Sequence, residues 1–115
     1  MKISNLFKRS GNNTPAPYQH ISSDEAEKMK DVVFLDVRSP GEHASGHIPG
    51  SKLLNVMDPS FARGIEKLPK DKTYVVYCRS GNRSATACKK MADAGFENLY
   101  NLKGGMMFWN GKTKK

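Results

Sequence analysis

Tyr74-Val75-Val76-Tyr77-Cys78-Arg79-Ser80-Gly81-Asn82-Arg83-Ser84 is the stretch on which the reading of this chain turns. Its first four residues are β-branched or aromatic and form a short apolar run, as a strand buried on both faces requires. A cysteine ends the run and a polar, glycine-containing loop follows. Ser84 to Ala94 then reads as a helix, stopped by Gly95 just past its end, with Ala87, Cys88, Met91 and Ala94 on its inward face. A strand that passes through a short loop into a helix is the unit of an α/β sheet, and ligands of such sheets gather where the strands end.

Placed there, Cys78 has reason to react. Free backbone N–H groups and the dipole at a helix N-terminus favour an anion. The amides from Arg79 to Ser84 are expected to curl into a nest around the sulfur, with Gly81 and Asn82 taking positive φ angles. Arg79 and Arg83 add full charges. All three effects favour thiolate over thiol, so Cys78 is expected to titrate below a free cysteine and to act as a nucleophile. The alternative is a small buried residue closing a strand, the common fate of a free cysteine. Two arginines and a Ser-Gly-Asn loop are out of place in that setting. Cys88, among Ala and Met on a helix face, fits the core, and the helix carries it too far from the loop for a disulfide.

Outward from this stretch, strands alternate with helical segments. Val32-Val33-Phe34-Leu35-Asp36-Val37 reads as a second central strand, Leu53 to Val56 and Asn98 to Leu102 as shorter ones. Ser22 or Ser23 caps a short helix with Ala26 and Met29 facing inward, and Asp31 closes it. Gly41 to Gly50 is loop chemistry after at most a turn or two of helix. Asp58, followed by Pro59, is the expected N-cap of a short helix running to Leu68. A last short helix or turn opens at Gly104-Gly105. Two near-continuous apolar strands in an alternating pattern predict a three-layer α/β/α sandwich around a mainly parallel sheet of about five strands.

At 115 residues, 37% hydrophobic, the chain has room for one core. Its formal charge of +8 suggests a nucleic-acid or membrane partner until its distribution is counted, because seven of those charges lie at the ends. Lys2, Lys8 and Arg9 precede a turn-rich run from Ser10 to Pro17, and Lys103, Lys112, Lys114 and Lys115 close the chain. Between them basic and acidic side chains nearly balance. The expected organisation is a flexible basic arm over residues 1–17, a domain over residues 18–111 and a basic tail over residues 112–115, with no nucleic-acid or membrane partner. No apolar run follows the basic start, and two cysteines form no disulfide framework, so a cytoplasmic, reducing location is expected.

Taken in order, Leu35-Asp36-Val37-Arg38 with Glu42, Gly46-His47-Ile48-Pro49-Gly50, Tyr77 to Ser84, and Leu102-Lys103-Gly104-Gly105 with Trp109 resemble the rhodanese-like domains, over roughly Tyr18 to Gly111. The resemblance implies a catalytic cysteine, aligned with Cys78, that cycles through a persulfide. It implies a sulfurtransferase that takes sulfur from thiosulfate or a persulfide and passes it to cyanide, a thiol or a thioredoxin-like or sulfur-relay protein, without a cofactor. Residues Arg79, Ser80, Gly81, Asn82, Arg83 and Ser84 would hold the anionic sulfur, Arg79 and Arg83 the departing sulfite, and Asp36 and Arg38 would brace neighbouring loops. Related phosphatases use a loop one residue longer, with an arginine six positions past the cysteine; here that position is Ser84. A phosphatase or arsenate reductase is therefore the weaker alternative, alongside a relay module without turnover. His43 and His47 are four apart, but Gly46 and Pro49 argue against a metal-binding helix, so no metal is expected. His43 stands where the family usually has an aromatic residue, and Ser51 where it has Ala.

Overall fold

The structure, a computed structural model, describes residues 17–115. All but the last residue of the expected N-terminal arm lies outside the described residues. The chain runs β1 (Gln19–Ile21), α1 (Ser23–Lys28), β2 (Val32–Asp36), α2 (Pro40–Ser45), β3 (Lys52–Leu53), α3 (Phe61–Glu66), β4 (Thr73–Tyr77), α4 (Asn82–Asp93) and β5 (Leu99–Leu102), then a 3-10 turn at Gly105–Phe108. The strands form one sheet in the order β1-β5-β4-β2-β3. Every pairing is parallel. The α/β sandwich expected from the alternating pattern is the observed fold.

Side-chain alternation along β4 divides the core in two. Tyr74, Val76 and Cys78 point to one face, where they meet Phe61 and Ile65 of α3 and Ala87, Cys88 and Met91 of α4. Val75 and Tyr77 point to the other, against Ile21, Ala26, Ile48 and Leu102. Complete burial of a side chain such as Met91 stabilises by about 1.5–3 kcal/mol, and its helical spacing from Ala87 and Cys88 delivers all three to the same surface. Helix α2 has no buried residue. It lies across the carboxyl end of the sheet, tied there by polar side chains.

Several boundaries differ from the sequence reading for local reasons. Helix α4 begins at Asn82, with Gly81 as N-cap at φ +109°, so Arg83 and Ser84 occupy its first turn. Helix α3 starts only at Phe61, because Asp58 accepts hydrogen bonds from the Ser60 amide at 2.8 Å and hydroxyl at 2.7 Å, a turn that competes with helix. Strand β1 was not legible, since Gln19 and His20 have little strand character; pairing with β5 makes it one. Ser22 caps α1 and Ser39 caps α2, each in a reciprocal box with a glutamate three residues on. Near the C-terminus, His47 and Lys114 exchange both backbone hydrogen bonds, at 2.8 and 2.9 Å, while the lysine side chains there remain exposed. Among the described residues no helix is long and apolar enough to cross a membrane.

Candidate active site

Cys78 follows β4 directly, and the loop after it turns over its sulfur. The Gly81 amide donates to Sγ at 3.1 Å and the Ser84 amide at 3.4 Å. Ser84 Oγ lies 3.4 Å from the same atom. Of the amides expected to form the nest, those of Gly81 and Ser84 make the well-formed hydrogen bonds and that of Ser80 adds a lesser one. Among residues 79–84 only Gly81 takes positive φ; Asn82 is helical. Burial pushes the Cys78 thiol up, and hydrogen bonds from the Ser84 side chain, then from the Ser84, Gly81 and Ser80 amides, outweigh it and lower the thiol below its ordinary range. Among the described residues Cys88 has no such donors. Burial, with the nearby Cys78 charge, pushes it up to about 12. Both cysteines are free and both are 0% exposed, so what faces each sulfur, rather than exposure, separates them.

The 3-10 turn supports the loop from beneath. Met106 N–H donates to the Cys78 carbonyl at 2.9 Å and Met107 N–H to that of Arg79 at 3.1 Å. Gly105 lies so close that an added Cβ would sit on the Cys78 carbonyl oxygen and 2.6 Å from that of Arg79. Met107 and Phe108 stand exposed beside this support.

The resemblance implies that both arginines face an incoming anion; the structure divides them. Arg79 is exposed and, among the described residues, makes no ion pair. Arg83 is committed to Glu42 of α2 through two hydrogen bonds, of 2.8 and 2.9 Å. The guanidinium, helped by the α2 cap, holds the Glu42 carboxyl down at about 2. A carboxylate matching both guanidinium nitrogens leaves Arg83 little direct claim on a donor anion. Glu42 thus joins the site as a clamp, a function its place in the motif did not disclose.

Asp36 and Arg38 lie behind the loop, at the end of β2. Asp36 accepts from Arg38 Nε at 2.9 Å, from an Arg38 terminal nitrogen at 2.7 Å and from the Arg38 amide at 3.0 Å. His43 Nδ1 lies 2.9 Å from the same carboxylate. Burial raises the Asp36 carboxyl, but these partners bring it below its ordinary value. Arg38 also donates to the Gly46 carbonyl at 2.7 Å, joining β2 to the loop after α2. His43 and His47 stack at 3.7 Å, and His47 Nδ1 meets the His43 carbonyl at 2.8 Å. Among the described residues no cluster of three metal-ligating side chains occurs.

One residue near the sulfur was not singled out from the sequence. Asn101, in the middle of β5, is 3% exposed and accepts from Ser84 Oγ at 2.5 Å. Its Nδ2 reaches the Gly81 carbonyl at 3.3 Å and lies 3.2 Å from His20 Nδ1. The signal was a polar residue inside an otherwise apolar strand.

The family description "Rhodanese-like domain" matches residues 22–112. The chain belongs to the rhodanese-like domain family. This rhodanese-like domain is 40% identical over 91 residues to a protein of Bacillus subtilis named putative sulfurtransferase YtwF, covering 79% of this chain and 85% of that protein. It is 30% identical over 95 residues to the thiosulfate sulfurtransferase GlpE of Pseudoalteromonas translucida, covering 80% and 89%. The crystal structure of a rhodanese-related protein from Thermoplasma volcanium superposes with a TM-score of 0.75 at 29% identity, covering 84% of this chain and 98% of that one. At the Cys78 sulfur the loop of this rhodanese-like domain directs amides, and beside it Arg79 makes no ion pair among the described residues.

Proposed function

We propose that this rhodanese-like domain is a sulfurtransferase in which Cys78 accepts and hands on a sulfane sulfur. The convergence of the Gly81 and Ser84 amides on Cys78 Sγ carries the reading, because it favours a sulfur anion at that position. The Cys78 thiolate attacks the outer sulfur of thiosulfate, the donor S–S bond breaks, and sulfite leaves with the bonding pair. A Cys78 persulfide remains, its charge on the outer sulfur. A thiolate or cyanide acceptor then attacks that outer sulfur, and Cys78 leaves as thiolate. Arg79 at the rim draws in the anionic donor. Hydrogen bonds at Sγ, which lower the Cys78 thiol, favour the thiolate nucleophile without an external base. Commitment of Arg83 to Glu42 weighs against a phosphatase, which needs a free guanidinium to clasp phosphate.

Burial of Cys78 favours a second reading, a relay module that opens only to a protein donor. Incubation with thiosulfate followed by mass spectrometry separates the two. The sulfurtransferase gains one sulfur atom on Cys78, retains that gain in Cys88→Ser and loses it in Cys78→Ser. Loading by a cysteine desulfurase but not by thiosulfate would establish the relay, and no loading from either would defeat both.

A further inference from the structure

The Ser84 hydroxyl has one proton and two claimants. Its oxygen lies 3.4 Å from Cys78 Sγ and 2.5 Å from Asn101 Oδ1. The orientation of the Asn101 carboxamide follows from its nitrogen, which donates to the Gly81 carbonyl at 3.3 Å; the oxygen is left facing Ser84. That oxygen can only accept, so it draws the Ser84 Oγ–H that would otherwise turn to the sulfur and lower the thiol, and while Ser84 donates to Asn101 only its lone pairs face Sγ. The thiol form satisfies every group, with S–H donating to Ser84 Oγ. The thiolate does not. Either lone pairs face the anion, or the hydroxyl turns to the sulfur and strips a buried acceptor of its donor.

We propose that Asn101 is a positioning residue for Cys78: its carboxamide oxygen competes with the sulfur for the Ser84 proton and so restrains the resting thiolate. The inference rests on the sulfurtransferase reading for its purpose. Once Sγ is bonded to a second sulfur, the charge moves outward and Sγ no longer needs that proton, so Ser84 stays with Asn101 at no loss. Asn101 thereby biases the loop toward persulfide over free thiolate. The other charged or titratable groups around the sulfur make no claim on this proton. Arg83 of α4 is paired with Glu42 of α2, and Asp36 with Arg38 at the end of β2. Arg79 is exposed in the loop, Cys88 lies behind the sulfur on α4, and Tyr77 bonds Ile48 and Ser51 on the opposite face. His20 of β1 touches only the Asn101 nitrogen side, at 3.2 Å.

Asn101→Leu keeps the volume and removes the competitor. Titration of Cys78 by its ultraviolet thiolate absorbance, with Cys78→Ser as blank, reads the effect directly. Freeing the Ser84 proton stabilises the charged form, so the midpoint falls, by about half a unit to one unit for one hydrogen bond. In a Ser84→Ala background the same substitution leaves the midpoint unmoved. An unchanged or raised midpoint in the Ser84 chain, or an equal fall in the Ser84→Ala background, would overturn the proposal. Asn101→Ala replaces Asn101→Leu should circular dichroism show the latter unfolded. The titration uses no sulfur donor, so its result is independent of whether thiosulfate loads Cys78.

Discussion

Around Cys78 a few hydrogen bonds outweigh the burial of a sulfur anion, and around Asp36 a similar balance is struck for a carboxylate. Asp36 is 0% exposed and Arg38 6%, so each ion depends on the other for what water would have supplied. A buried pair of this kind is dangerous to break from one side, because the survivor is left charged and unpaired. Asp36→Ala is expected to lower stability by about 3–5 kcal/mol, read from urea unfolding midpoints at constant slope. Arg38 also holds the Gly46 carbonyl, and Val37 N–H bonds the Tyr77 carbonyl at 3.0 Å immediately before Cys78. The loss of stability should therefore be accompanied by slower sulfur loading. A drop below about 1 kcal/mol would show that water enters and solvates Arg38.

At the scale of elements, the cysteine loop is held between α4 and the 3-10 turn. Helix α4 presents the Ser84 amide of its first turn to the sulfur, and Gly81 reverses the chain so that its own amide reaches the same point. From below, Gly105 at φ +53° lets the turn approach the loop carbonyls. A methyl group there has no space, and its close neighbours are backbone atoms that cannot rotate away. Gly105→Ala combines that clash with a left-handed conformation, and an expected destabilisation of about 2 kcal/mol or more follows. Because the displaced atoms belong to Cys78 and Arg79, loading from thiosulfate should fall by more than the folded fraction does. Mass spectrometry of the loaded chain, compared with a thermal unfolding curve, tests this.

For the whole molecule, the Glu42–Arg83 pair bridges α2 and α4 across the carboxyl end of the sheet. Its side chains are about a third exposed, so solvent screens it and its contribution is about 1 kcal/mol or less. Glu42→Gln retains the α2 capping box and removes the charge, isolating the ion pair. The folded Glu42 carboxyl lies at about 2 against an ordinary value of 4.5, so this stability is fully present above pH 4.5 and disappears as pH falls toward 2. The stability difference between Glu42→Gln and the parent chain should be flat above pH 5 and vanish with acidification. A difference that persists undiminished near pH 2 would assign the effect to packing. The substitution also frees Arg83, and faster loading from thiosulfate is the expected consequence.

Local pattern by itself determined the parallel sheet, the strand that delivers Cys78, and the loop that surrounds it. Apolar runs, turn residues and caps act over a few positions, and Tyr74 to Ser84 contains its strand, its glycine reversal and its helix start within one segment. The start of α3 was misread because the Asp58 side chain had two local uses, cap or turn, and sequence alone does not choose between them. Tertiary structure alone decided that β1 is a strand, that Arg83 turns to Glu42, 41 residues away, and that Asn101 reaches Ser84. Those pairings depend on which elements the sheet order places side by side. A charge or carboxamide carries no mark of its partner until the chain has folded.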